Sequence, residues 1–376
     1  TIRSQFRMPS ELTVLNAANL CPSPASVLDI VYDYTRRLDS KPVPSYRATM
    51  LEVKENTREQ LAKYLRVTPK EILITRNTSE SNNWVSNGLD LRVDDEVVIF
   101  SDNHPSNNEA WKERGKRFGF IVKEVPPLNP HPGFDYYIEE FKKALTPRTR
   151  VLSFTHLSNT VGDLFPAKEL CSMARERGII TLIDGAQSLG LLDVDLSDIQ
   201  PDFYSGSAHK WPCGPKETGV LYVNKSIQEK FWPSIYSAYK GRQGLAQTHE
   251  GLGQRDTPAI HAFGQQIEFL RKIGQKKIEE RSGNIATQII EELQKIKGVY
   301  IYTSNKQSLR SAVVTFRPAN LEPTKVVKAL EEDGIVAANL GGKNWAGVRF
   351  SPHFYNSNSD VEKAVTAIHR YLQKGL

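Results

Sequence analysis

Cysteine is scarce in this chain: Cys21, Cys171 and Cys213 are the only three in 376 residues, and no CxxC spacing joins them. A disulfide framework and a cysteine-rich zinc site are therefore unsupported. No apolar run approaches the ~18 residues that a bilayer-spanning helix needs. Charge of one sign is not concentrated either, since 49 Lys+Arg stand against 43 Asp+Glu for a net +6. The pI of about 9.0 comes from basic residues mixed with acids, without a stripe interleaved with aromatics, so nucleic acid is not expected as a partner. The 24 glycines and 21 prolines follow no period, which excludes collagen-like and low-complexity chains. Internal repeats and a charged tail are also missing.

The rest is ordinary for a globular enzyme, at 39% hydrophobic and 24% charged residues. The length suits two or three domains. Compartment stays open. Cytoplasmic is the default expectation, and an exported protein trimmed before Thr1 is the alternative. Arg36-Arg37 is no twin-arginine signal, because Leu38-Asp39-Ser40 follows instead of an apolar core.

From about residue 52 short β-branched runs alternate with amphipathic stretches. Strand-like segments are expected at Glu71–Thr75, Glu96–Phe100, Phe120–Val125, Arg150–Phe154 and Ile179–Asp184, then a hairpin-like pair at Asp202–Ser205 and Gly219–Val223. Helix-like segments separate the first five. This rhythm predicts an α/β fold with a mainly parallel sheet and helices on both faces. Residues 231–256 read as irregular, and 258–296 as one long helix or a broken pair. A small α+β unit follows, with strands expected at 299–302, 311–316, 335–338 and 347–350 and helices at 323–333 and 360–372. The expected organisation is an N-terminal segment 1–50 packing on the small domain, a large domain 51–257, and a linking helix plus small C-terminal domain 258–376.

In an open parallel sheet, ligands bind at the carboxyl ends of the strands. Five such ends here lead into Asn77-Thr78-Ser79, Asp102-Asn103-His104, His156-Leu157-Ser158-Asn159, Asp184-Gly185-Ala186-Gln187 and Ser207-Ala208-His209-Lys210. Any one could be a helix cap or a turn; together they suit an aromatic aldehyde carrying a phosphate. Thr78 and Ser79 at a helix N-terminus suit the phosphate. Asp184 suits a protonated pyridine nitrogen, Asn159 and Gln187 a phenolic oxygen, and His104 the ring face. Lys210, preceded by Ser207 and His209, suits imine formation, and desolvation would lower its pKa.

These stretches, with Trp211, Gly214-Pro215 and Thr218-Gly219, resemble the class V aminotransferase group of fold-type-I pyridoxal-phosphate enzymes. That group includes cysteine desulfurases, C–S lyases and isopenicillin N epimerase-like proteins. The resemblance runs from Asn16-Ala-Ala-Asn19 to Arg349-Phe-Ser-Pro-His-Phe-Tyr-Asn356. It implies pyridoxal 5'-phosphate bound covalently to Lys210, with Asp184 on the pyridine nitrogen and His104 stacked on the ring. Asn159 and Gln187 would frame the ring, while Thr78, Ser79, Ser207 and His209 would hold the phosphate. Thr257, in Gln254-Arg-Asp-Thr257, matches the hydroxyl lent across a homodimer interface, and Arg349 matches the clamp on a substrate α-carboxylate. Arg47 is a candidate for a substrate side chain and equally a surface ion-pair partner. His249 and His353 read as loop residues.

Two departures stand out. Residues 337–345, where sulfur-storing members carry a cysteine, hold none, and Glu217 stands where the family often has glycine. The implied activity is chemistry at the Cα of an amino acid, of epimerase, aminotransferase or related oxidative type. β-Elimination by a C–S lyase and a non-catalytic cofactor-binding or sulfur-transfer partner are the alternatives.

Overall fold

The computed structural model describes residues 2–236, 244–341 and 344–376. Parts of the segments 231–256 and 337–345 singled out above lie outside the described residues. The chain opens with strand β1 (Thr13–Val14) and helices α1 (Ala25–Ser40) and α2 (Pro44–Leu65). Helix α1 fully buries only Val27, while Leu28, Ile30, Val31, Tyr34 and Leu38 recur at helical spacing and are half-buried. There follow strands β2 (Ile72–Thr75), β3 (Glu96–Phe100), β4 (Ile121–Val125), β5 (Thr149–Thr155), β6 (Ile180–Asp184), β7 (Phe203–Ser207) and β8 (Gly219–Val223). Helices α3 (Thr78–Gly88), α4 (Pro105–Phe118), α5 (Phe134–Ala144), α6 (Ala167–Arg175) and the short α7 (Leu196–Ile199) lie between them.

The strands form one sheet in the order β2-β8-β7-β6-β5-β3-β4. Strand β8 runs antiparallel to both neighbours and every other pairing is parallel, so β8 alone is reversed. Successive residues of a strand face opposite sides, and each side here has its own core. Val97, Ile99, Leu182 and Leu221 pack on one side; Val98, Phe100, Ile183 and Val220 pack on the other. Central strands such as β3 and β6 consequently read as apolar runs, whereas edge strand β4 carries Lys123 and Glu124.

Beyond β8, α8 (Leu245–His249) lies inside the stretch expected to be irregular. The long helical stretch is a broken pair, α9 (Thr257–Ile273) and α10 (Gln275–Gln294), divided at Gly274, whose φ of +98° lies outside helical space. Strands β9 (Val299–Ile301) and β10 (Val314–Pro318), helix α11 (Pro323–Glu332), strands β11 (Ile335–Val336), β12 (Ala338–Leu340) and β13 (Gly347–Phe350) and helix α12 (Asn358–Lys374) complete the chain. A second sheet has the order β12-β13-β10-β9, while β11 pairs in parallel with β1. The stretch expected as one strand at 335–338 is thus split between two sheets. Phe6 packs against Phe354 and Tyr355, and Arg3 pairs with Asp360.

Candidate active site

With β8 the only reversed strand, the carboxyl ends of β2, β3, β5, β6 and β7 share one edge. Asp184, the last residue of β6, is 2% exposed. Its Oδ1 accepts from the Ala186 N–H at 3.0 Å; its Oδ2 accepts from Asn82 Nδ2 at 2.9 Å and Asn107 Nδ2 at 3.5 Å. Asn82 is itself held by Ser205 Oγ, which donates to its Oδ1 at 2.7 Å. Among the described residues no lysine or arginine lies within ion-pair distance of Asp184. A buried carboxylate steadied by three neutral donors remains free to face a cationic ring nitrogen. Asn82 and Asn107 lie a few residues beyond the strand-end stretches noted above, and nothing in their spacing marked them as supports of Asp184.

Burial pushes the Lys210 ammonium down to about 8; nearby Asp184 opposes this fall and Arg349 adds to it. His104 caps α4, accepting from the Ser106 N–H at 3.2 Å and sharing a hydrogen bond with the Ser106 hydroxyl. Its pKa is lowered by burial, then by Lys210 and Arg349, against Asp184. His104, Asp184, Lys210 and Arg349 thus lie close enough to shift one another's proton affinity.

At the β2 end Asn77 caps α3 by accepting from the Glu80 N–H at 2.9 Å. The Thr78 N–H donates to Ser207 Oγ at 2.8 Å, and the two hydroxyls are also 2.8 Å apart. Ser79 next to them is exposed. The backbones close in here: a Cβ on Gly219 would lie 2.6 Å from the Gly206 carbonyl oxygen and 2.9 Å from Asn77 Cα. Outside this corner lies a cavity of about 460 Å³ lined by Arg76, Asn77, Ser79, Glu80, Glu217 and Ile235, among others. Glu217 has φ +57°, the left-handed region that glycine reaches without strain, which accounts for glycine in the family pattern. Burial, with Lys210 and Lys216, drops His209 to about 4, so its imidazole is neutral.

Arg349 lies on β13 and is 5% exposed. One terminal nitrogen donates to the Asn159 carbonyl at 2.7 Å, the other reaches Asn16 Oδ1 at 3.4 Å, and Nε has no partner. Among the described residues it has no carboxylate within ion-pair distance, and burial lowers it to about 10. An enclosed guanidinium held only by neutral acceptors is an anion-binding group. The Asn159 side chain is half-buried beside it. Gln187 donates to the Ala18 carbonyl at 3.0 Å and accepts from Trp211 Nε1 at 2.7 Å, which leaves one amide hydrogen.

Other residues stand differently. The Thr257 hydroxyl has the Arg255 carbonyl as its partner at 3.4 Å, and no contact joins it to Thr78 or Ser207 of the same chain. Arg47 is exposed on α2. His249, expected in a loop, ends α8 and stacks on Phe231 at 4.5 Å. His353 is fully buried, bonded to Ser282 Oγ at 3.1 Å and the Trp211 carbonyl at 2.6 Å. It lies with Cys21 and Cys213 in a group whose ligand-type atoms are within 4.8 Å of one another, a juxtaposition hidden by their separation in sequence. All three cysteines are buried. Burial pushes Cys171 up to about 12, and burial with Cys21 raises Cys213 well above the usual thiol range.

A family described as Aminotransferase class-V matches residues 14–364. A probable cysteine desulfurase of Halalkalibacterium halodurans is 28% identical over 94% of this chain and 91% of its own. The isopenicillin N epimerase of Amycolatopsis lactamdurans is 27% identical over 97% and 96%. Among solved structures, a C-DES variant with glycine covalently linked to the PLP cofactor superposes with a TM-score of 0.89 at 21% identity, covering 98% of both chains.

Proposed function

Because the chain belongs to the aminotransferase class-V family of pyridoxal-phosphate-dependent enzymes, we propose that it acts at the Cα of an amino acid, in epimerase- or aminotransferase-type or related oxidative chemistry. The observation that carries this reading is Arg349, a buried guanidinium without a carboxylate partner, beside a lysine brought down to about 8. An α-carboxylate on the arginine would present its Cα to the lysine.

The donor set fits the cofactor. When bound, pyridoxal phosphate supplies an aldehyde for an amine and a ring that withdraws electrons from Cα. Asp184 would accept the pyridinium N–H, with Asn82 and Asn107 keeping its second oxygen in place. His104 would cover the ring face, and Asn159 and Gln187 would flank it. Thr78, Ser79, Ser207 and neutral His209 would donate to the phosphate at the α3 N-terminus. Lys210 would hold the aldehyde carbon, then take and return the Cα proton, which suits an amine titrating near neutrality. In this reading residues 51–257 hold the cofactor and 258–376 bring Arg349 to it. Thr257 would complete a second subunit's phosphate site, with the cavity outside Ser79 leaving room for it.

Borohydride reduction of the holoenzyme followed by peptide mass spectrometry should find the adduct on Lys210; an adduct elsewhere, or none, refutes the assignment. An amino-acid screen following the visible cofactor band, with keto acid, pyruvate and sulfide measured together, identifies the reaction. The second reading is β-elimination from a cysteine-derived substrate. It is favoured by the burial of all three thiols, because that reaction needs no thiol from the enzyme.

A further inference from the structure

Three groups of the proposed site come from separate elements: His104 from the loop after β3, Asn159 from the loop after β5, and Arg349 from strand β13 of the second sheet. A single carboxylate oxygen joins them. Asp102, two residues before His104, accepts through Oδ2 from the Thr160 hydroxyl and from Trp345 Nε1, the latter at 3.2 Å. Thr160 follows Asn159, whose carbonyl receives the Arg349 guanidinium. The Thr160 carbonyl accepts from Thr315 Oγ1, and Thr315 is the cross-strand partner of Arg349. Two consecutive carbonyls are thereby gripped by one cross-strand pair. Trp345, four residues before Arg349, is 8% exposed and rests edge-on against Tyr302 at 5.8 Å.

We propose that Asp102 is a positioning residue for the substrate-carboxylate clamp, fixing the Asn159–Thr160 loop and the Trp345 side chain so that Arg349 meets the carboxylate in a set orientation. This rests on the role proposed for Arg349. A guanidinium recognises a carboxylate through two parallel N–H bonds, so a small rotation costs one of them. Asp102 touches neither cofactor nor substrate; it acts through Thr160 and Trp345. A charged acceptor holds both donors more firmly than a neutral one.

The test uses holoenzyme and two probes that capture the cofactor aldehyde, aminooxyacetate with a carboxylate and methoxyamine without one. The rate of loss of the visible band is read for each. Wild type should favour aminooxyacetate, and Asp102→Ala should lose about tenfold of that preference, the worth of roughly one charged hydrogen bond. Methoxyamine should react at the wild-type rate. Asp102→Asn, whose amide oxygen still accepts from both donors, should keep most of the preference. Trp345→Phe and Thr160→Val, each removing one donor, should fall between. Amide exchange in residues 158–164 should quicken in Asp102→Ala and return towards wild type in Asp102→Asn. Full preference in Asp102→Ala, or equal slowing of both probes, overturns the proposal. Wild-type holoenzyme without any preference for aminooxyacetate instead overturns the role of Arg349.

Discussion

Lys210 offers the most direct quantitative test, because three effects set its proton affinity and two can be removed by mutation. Burial lowers it, Asp184 raises it and Arg349 lowers it, for a net fall from 10.5 to about 8. At pH 7.4 an amine with pKa 8 is about one-fifth neutral, whereas one at 10.5 is about one-thousandth neutral, a gain of roughly 250-fold in nucleophile. Cofactor-free protein mixed with pyridoxal phosphate should therefore form its visible band at a rate that rises with pH to a midpoint near 8. Asp184→Asn removes the opposing effect, so the midpoint should move lower still; Arg349→Met removes a neighbouring cation, so it should move higher. A wild-type midpoint above 10, or shifts in the reverse sense, would falsify the electrostatic account. Stability carries the same signature. Below pH 8 lysine is charged in folded and unfolded chains alike, and the folded chain bears the full cost of burying it. Between 8 and 10.5 the folded chain sheds its proton first, so stability climbs with pH. At about 1.4 kcal/mol per pH unit the upper bound is about 3 kcal/mol, reduced to about 1–2 because solvent reaches part of the side chain. Cofactor-free Lys210→Met should exceed wild type by that amount in urea melts at pH 7, with the gap closing above 10.5.

Three further outcomes are expected. Sedimentation at assay concentration should show a homodimer, since Thr257 bonds within its own segment rather than to its own Ser207; a fully active monomer rules out the shared site. Replacing Cys21, Cys171 and Cys213 together should leave product formation from the best amino acid in place, and alanine formation from cysteine that disappears in the triple variant would make this chain a persulfide-forming desulfurase. Glu250, 2% exposed as a side chain, receives Arg58 at 2.6 Å, Lys54 at 2.5 Å and the Ile74 N–H at 2.7 Å. Glu250→Gln should lower stability by about 3–5 kcal/mol in chemical denaturation because it strands buried cations, and a change within error would show that Glu55 alone satisfies Arg58.

Local pattern was enough to find most of the sheet and the residues at its edge. A parallel strand buried on both faces must be a short apolar run, as in Glu96–Phe100 and Ile180–Asp184, and the loops leaving such strands lie on the same edge whatever the strand order. Thr78, His104, Asp184 and Lys210 were legible for that reason. For 258–296 a broken pair of helices was one of two expectations, without a position for the break. Helix α1 was not assigned from the sequence, although Val27, Leu28, Ile30, Val31, Tyr34 and Leu38 recur there at helical spacing. The split of 335–338 between two sheets was not legible either, since register depends on partners far away in the chain.

Sequence by itself determined the α/β class, the family and the chemical types gathered at the strand ends, because each depends on residue identity and short spacing. Tertiary structure alone decided which groups support which. Asn82 reaches across 102 residues to Asp184, Trp345 across 243 to Asp102, and Arg349 across 190 to the Asn159 carbonyl. Such hydrogen bonds hold over a few tenths of an ångström and leave no period in the chain. Burial is decided there too: the same lysine stays fully protonated at neutral pH in water and is brought down to about 8 where the folded chain has taken away part of its solvent.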